Sequence, residues 1–134
     1  MIGLDTNVVV RYLTQDDPRQ SAAATKFIEH TLSVQKPGFV SLVTLCEIAW
    51  VLAECYDADK ARIVQVMEGL LGSKQILVEE SDLVWKALRA WDKSAADFSD
   101  ALLGQVAVTR GCEKVVTFDK SAARLAGFEL LGRD

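Results

Sequence analysis

Two aspartates stand where ligand chemistry is expected in a sheet-based fold, directly after apolar stretches that are predicted to be strands. Asp5 follows residues 2–4, and Asp119 follows the apolar run at 115–118. In open α/β sheets the ligand crevice lies beyond the carboxyl ends of the strands. Either aspartate could instead cap the helix that follows it. Position alone therefore leaves a catalytic and a structural role open.

Two further acids interrupt apolar helical patterns. Glu47 lies within 45–52, a stretch that is apolar nearly all round, where burying an unpaired charge is costly. A buried arginine partner is the alternative, but the neighbouring helical positions offer no basic residue. Asp100 begins another mostly apolar helix, with Asp97 three residues earlier on the same face. Asp97 is also well placed to be an N-cap.

If Asp5, Glu47, Asp100 and Asp119 face one crevice, their mutual repulsion needs compensation. Two unit charges about 5 Å apart repel by roughly 3 kcal/mol at an effective dielectric of about 20. Several such pairs rival the whole stability of a small domain, roughly 5 to 15 kcal/mol. Either the acids take up protons or a cation lies among them. Oxygen ligands without histidine or cysteine suit a hard ion, Mg²⁺ or Mn²⁺.

Small polar side chains accompany these acids and could hydrogen-bond the carboxylates without adding charge. They are Thr6, Asn7, Ser41 and Thr117. Taken singly, each is more often a cap or turn residue, and Asn7 and Ser41 are the preferred N-cap candidates. The basic residues that lie near the proposed pocket in sequence are candidate phosphate contacts, namely Arg11, Lys93, Lys120 and Arg124.

The elements that must position these residues alternate short apolar runs with longer stretches of helical period. Strands are predicted at 2–4, from 39, at 75–78, at 114–118 and at 128–131, and helices at 17–32, 42–55, 59–71, around 83–91, at 98–110 and at 120–126. Short strands separated by helices are typical of a parallel sheet covered on both faces. We therefore expect one α/β domain over 1–134, with three α/β/α layers and a short-stranded, mainly parallel central sheet.

Composition narrows the function classes. The chain has 134 residues, half of them hydrophobic, and a formal net charge of -4. This acidity argues against nucleic-acid binding through a globally basic surface, but not against RNA chemistry through a metal. The three cysteines form no CxxC pair, and we expect them to be buried and reduced. With no secretory signal and no apolar run long enough to cross a bilayer, the expected location is the cytoplasm.

In order, spacing and flanking residues, these acids resemble those of the PIN domain, and most closely the VapC toxins of bacterial toxin–antitoxin pairs. The motifs are Asp5-Thr6-Asn7 after the first strand, Ser41 with Glu47 on the next helix, Asp97-x-x-Asp100-Ala-Leu-Leu, and Thr117-Phe-Asp119. The resemblance covers the whole chain. It implies a PIN-like fold and a metal-dependent endoribonuclease that hydrolyses RNA phosphodiester bonds.

The resemblance also implies roles and partners. Asp5 and Asp100 would be the principal ligands of Mg²⁺ or Mn²⁺, while Glu47 and Asp119 could bind directly, through water or at a second ion. Asp97 would be an auxiliary acid. Homodimerisation and inhibition by a cognate VapB-like antitoxin, whose C-terminal segment covers the active site, are expected as well.

Three other classes remain as alternatives. A phospho-receiver domain requires paired acids after its first strand and a lysine at its last strand exit, whereas this chain has Asp5-Thr6 and Asp119 there. A haloacid-type phosphatase requires a second aspartate two residues after the first, where this chain has Asn7. A PIN fold that only binds its partner, without catalysis, is distinguished by an activity assay.

Overall fold

The structure is a computed structural model, and it describes residues 1–132. Tertiary contacts divide the chain into two compact units, with the first ending at Glu79 and the second beginning at Glu80. The expectation of one domain over 1–134 stays a prediction, and its last two positions lie outside the described residues. No helix in the described part of the chain is long and apolar enough to cross a membrane.

The first unit has a three-stranded parallel sheet whose strands are β1 (Ile2–Gly3), β2 (Gly38–Val40) and β3 (Ile76–Val78). Their order is β1-β2-β3, and the register pairs Ile2 with Gly38 and Gly38 with Ile76. Parallel strands end at the same edge, so the residues after β1, β2 and β3 share one edge of this sheet. Those residues include Asp5, Ser41 and Glu79.

The helices of the first unit begin at capping residues that are visible in the sequence. They are α1 (Thr6–Thr14), α2 (Pro18–Lys26), α3 (Leu42–Cys55) and α4 (Lys60–Leu71). The side chains of Asp17, Ser41 and Asp59 accept hydrogen bonds from backbone N–H groups three residues on. The helix predicted over 17–32 is α2 followed by one π-helical turn, Phe27–Thr31.

The sequence-based assignment missed α1. Its residues 8–10 are three valines, and β-branched side chains lose rotamer freedom in a helix, so local preference does not favour this helix. Val9 and Val10 are buried, which indicates that tertiary packing rather than propensity holds α1. The prediction of Asn7 as an N-cap is wrong, because Asn7 lies inside α1 and Asp5 occupies the cap position.

The second unit contains α5 (Ser81–Asp92), α6 (Phe98–Thr109) and two paired parallel strands, β4 (Val115–Thr117) and β5 (Phe128–Leu130). The indole N–H of Trp91 donates to the carbonyl of Ala96 at 2.7 Å, and its ring meets Phe98 edge-on at 5.6 Å. These contacts fix the short connection between α5 and α6.

The fold-class prediction is confirmed as a mixed α/β structure with short, parallel strand pairs. The helix predicted at 120–126 is a single 3₁₀ turn, Ala122–Arg124. The cysteines are free thiols, but the prediction that they are buried is wrong, because Cys46 is half-buried and Cys55 and Cys112 are exposed.

Candidate active site

Asp5 links β1 to α1 and occupies the N-cap of that helix. Its Oδ1 accepts a hydrogen bond from the backbone N–H of Thr6 at 2.8 Å. The carboxylate is exposed at the sheet edge, so the capping role uses one oxygen and leaves the other accessible. The capping and the chemical interpretation of Asp5 are therefore compatible.

Glu47 lies on the exposed side of α3, which corrects the premise that this helix is apolar all round and buries the acid. The helix buries one stripe only, consisting of Thr44, Leu45, Ile48, Ala49 and Leu52. The hydroxyl of Thr6 donates to Glu47 Oε1 at 2.8 Å. Thr6 thus supports the two candidate site acids of the first unit, Asp5 through its backbone N–H and Glu47 through its hydroxyl.

The other polar groups of the first unit serve the start of α3. Ser41 Oγ accepts from the N–H of Thr44 at 3.1 Å, so the prediction of Ser41 as an N-cap is confirmed. Glu79, which the sequence analysis passed over, accepts from the N–H of Leu42 at 2.9 Å. Its position directly after β3 was the signal that could have singled it out, since Asp5 follows β1 in the same way.

Asp97 and Asp100 open α6 in the second unit. Asp97 holds the N-cap position, but in the described part of the chain its side chain makes no capping hydrogen bond. The Asp97 carboxylate is therefore not engaged in capping α6. Asp100 lies three residues later in the first helical turn, where the positive end of the helix dipole favours an anion.

Asp100 is the half-buried acid of this group, and its pKa is raised above the usual aspartate value. Burial is the largest cause, and the negative charges of Asp97 and Asp119 add to it. A hydrogen bond from the Asp97 backbone opposes the rise in part. Asp97 and Asp119 therefore lie close enough to Asp100 to disfavour its charged form.

Asp119 is held by the loop that follows β4. Its Oδ1 accepts from the backbone N–H of Ser121 at 2.8 Å and of Ala122 at 3.3 Å. Thr117 Oγ1 in turn accepts from the N–H of Asp119 at 3.0 Å. Thr117 thus orients the backbone of this loop rather than the carboxylate itself.

Among the four basic candidates, Arg11 has its donors engaged. Its guanidinium donates to Gln20 at 2.8 Å and to the hydroxyl of Tyr56 at 3.0 Å, and it pairs with Asp16 at 3.3 Å. Arg11 therefore ties α1 to the beginning of α2 and the end of α3. No carboxylate in residues 1–132 forms an ion pair with Lys93, Lys120 or Arg124.

Comparison with known proteins supplies the family. A model of the PIN domain matches residues 2–128. The chain belongs to the PIN domain family. A VapC ribonuclease from Aquifex aeolicus (strain VF5) is 25% identical over 126 residues, which cover 94% of this chain and 92% of that protein.

The acids of this PIN domain fit a hard divalent cation in type. All the candidate donors are carboxylate oxygens, which Mg²⁺ and Mn²⁺ prefer. Burial and the charges of Asp97 and Asp119 raise the pKa of Asp100, so a bound cation would favour its charged form. Within residues 1–132, no three acidic, histidine or cysteine side chains converge as a ready-made metal site.

Proposed function

We propose that this PIN domain is a cytoplasmic, Mg²⁺- or Mn²⁺-dependent endoribonuclease that acts as the toxin of a toxin–antitoxin pair. Its catalytic acids are Asp5, Glu47, Asp100 and Asp119. The observation that carries the proposal is the half-buried Asp100, whose pKa is raised by burial and by the nearby charges of Asp97 and Asp119. Repelling carboxylates reduce stability, and a function that needs their charge explains their retention.

The acids have different proposed roles in metal binding. Asp5 and Asp100 are the principal ligands, and Glu47 and Asp119 bind directly, through water or at a second ion. Asp97 is an auxiliary acid whose charge adds to the attraction for a cation. When bound, a divalent ion lowers the pKa of a water molecule and offsets the charge that develops on the scissile phosphate.

The protein groups orient the reactants and move the proton. Glu47 or Asp119, whichever is not a direct ligand, accepts the proton of the attacking water. Both are anchored, Glu47 by the Thr6 hydroxyl and Asp119 by two backbone N–H groups. Anchoring matters because a proton acceptor must stay within hydrogen-bond reach of the water. Asn7, Ser41 and Thr117 support this arrangement as auxiliary residues.

The toxin role rests on the relative that is named VapC ribonuclease. The partner proposed with it is a VapB-type antitoxin, whose C-terminal segment covers the acids and inhibits cleavage. The protein itself is proposed to form a homodimer. Purification together with a small protein encoded beside it, and release of RNA cleavage when that protein is removed, test this part of the proposal.

The main test uses purified protein freed of any antitoxin and a fluorescent single-stranded RNA. We expect cleavage with Mg²⁺ or Mn²⁺, none with excess EDTA, and none by Asp100→Asn. Asp92→Asn, which removes an exposed acid at the end of α5, is the matched control and should cleave normally. Cleavage that survives EDTA contradicts the metal mechanism. Tight RNA binding without cleavage under any ion supports a non-catalytic binding module instead.

A further inference from the structure

A groove lined by two exposed cations lies in the second unit, and its first lining residue directly follows Asp119 in the sequence. Its volume is about 620 Å³. Its walls come from the 3₁₀ turn and from β5, and the lining residues are Lys120, Ala123, Arg124, Phe128, Glu129 and Leu130. We call this the basic groove.

The charge of the basic groove is positive although it contains one acid. Glu129 is ion-paired with Lys114, so its charge is already offset. Lys120 and Arg124 are exposed, and neither forms an ion pair with any carboxylate of residues 1–132. Two uncompensated cations at one groove attract an anionic ligand.

The groove is attached to a catalytic acid through one short, fixed segment. Asp119 Oδ1 accepts from the N–H groups of Ser121 and Ala122, and the turn Ala122–Arg124 follows directly. Lys120 therefore lies one residue from Asp119, and Arg124 lies at the end of the same turn. A ligand in the groove therefore meets residues that directly follow Asp119 along the chain.

We infer that the basic groove binds the phosphate backbone of single-stranded RNA next to the cleavage site, an inference that rests on the proposed function. The acids of the second unit repel phosphate, so a polyanionic substrate needs cations nearby to approach them. A lysine supplies a point charge and an arginine a planar fork that matches phosphate oxygens. Backbone contacts of this kind give affinity without sequence preference.

The test measures binding of a fluorescent single-stranded RNA by anisotropy in EDTA, over a series of KCl concentrations. The variants are Lys120→Gln/Arg124→Gln and the control Lys86→Gln/Arg89→Gln, which removes two exposed cations from α5. Two lost phosphate contacts should reduce the slope of log affinity against log salt by about 1.4. Affinity near 0.15 M salt should fall roughly 10-fold, while the control matches the wild type.

Cleavage kinetics add an independent measure. With Mn²⁺ present, the groove variant should show a KM raised by roughly the same 10-fold as its loss of affinity. If its salt slope and KM equal those of the control, the groove does not bind RNA and the inference is wrong, whereas the proposed nuclease activity stands. If the wild type cleaves no RNA with either ion, the proposed function fails, and the salt slopes still decide whether the groove binds RNA.

Discussion

Among the candidate acids, Asp5 and Glu47 of the first unit accept hydrogen bonds from Thr6, whereas Asp100 of the second unit is partly buried beside the charges of Asp97 and Asp119. Thr6 donates to Asp5 through its backbone N–H and to Glu47 through its hydroxyl. In the second unit, burial and the charges of Asp97 and Asp119 raise the pKa of Asp100. Hydrogen bonds thus support the carboxylates of Asp5 and Glu47, whereas the surroundings of Asp100 disfavour its charged form.

This difference separates two tasks that a metal-dependent nuclease needs. Hydrogen-bonded acids have a fixed orientation, which suits a group that must accept a proton from a positioned water. Repelling acids are stabilised by a cation more than by any neutral partner, which suits ion binding. We therefore expect Asp100 to contribute strongly to ion affinity, and Glu47 and Asp119, which accept hydrogen bonds, to be the acids that are oriented to accept a proton.

Asn replacement of the acids should have the largest effect. Asp100→Asn and Asp5→Asn should each lower kcat/KM on RNA by at least about 100-fold, because metal stabilisation of the transition state is worth several kcal/mol. Asn also caps helices well, so Asp5→Asn should leave the Tm nearly unchanged, whereas Asp5→Ala costs about 1 kcal/mol of stability. If either Asn variant cleaves RNA at the wild-type rate, the replaced acid does not belong to the active site.

The Thr6 hydroxyl should have an intermediate effect. Thr6→Val removes the hydrogen bond to Glu47 but keeps the shape of the side chain, and the expected loss of kcat is about 10-fold. Thr6→Ser retains the hydroxyl and should restore most of the rate. Equal rates for the Val and Ser variants would mean that the orientation of Glu47 is unimportant.

In the metal-free protein, the charged form of Asp100 should destabilise the fold, because of burial first and of the charges of Asp97 and Asp119 second. Because the folded pKa of Asp100 is raised, its protonated form stabilises the fold, and this contribution is lost as the pH rises through the raised value. Asp100→Asn should therefore melt higher than the wild type at neutral pH in EDTA. The gain is on the order of 1–2 °C, since the carboxylate is partly solvated. The difference should vanish in acid, and a variant that melts lower contradicts the repulsion.

The contribution of Asp16 in the first unit to stability should change with pH in the direction opposite to that of Asp100. Hydrogen bonds from Tyr56 and Thr14 lower its pKa, so its contribution to stability is present above the usual aspartate value and is lost as the pH falls through the lowered one. Tyr56→Phe removes the largest cause of the shift. We expect a small fall in Tm at pH 7 that disappears in acid, measured by calorimetry beside Asp100→Asn.

The helices that were predicted correctly are those whose ends are marked by capping residues in the local sequence. Ser41 directly precedes α3, Asp59 directly precedes α4 and Gly72 follows it, and both helices begin and end close to the predicted bounds of 42–55 and 59–71. The valines of α1 gave the contrary signal, because its helical state depends on burial of Val9 and Val10 against other parts of the chain. Propensity cannot report such packing.

In the candidate site, too, the features set by local sequence were predictable and those set by tertiary packing were not. The spacing of Asp97 and Asp100 on one helical turn is local and was predicted. The exposure of Glu47 was not, because Val43 and Trp50 are apolar yet 70% and 62% exposed, which makes α3 look buried on all sides. The influence of Asp119 on Asp100 depends on the path of the chain through β4, which no local pattern specifies.

The most direct test of the central claim, that Asp100 belongs to a divalent-ion site, is the Tm shift produced by Mn²⁺ in the wild type, Asp100→Asn and the control Asp92→Asn. At an ion concentration 100 times the Kd, binding stabilises the folded state by about 2.7 kcal/mol, a shift on the order of 10 °C. We expect this shift in the wild type and the control, and loss of most of it in Asp100→Asn. An equal shift in all three proteins would contradict it.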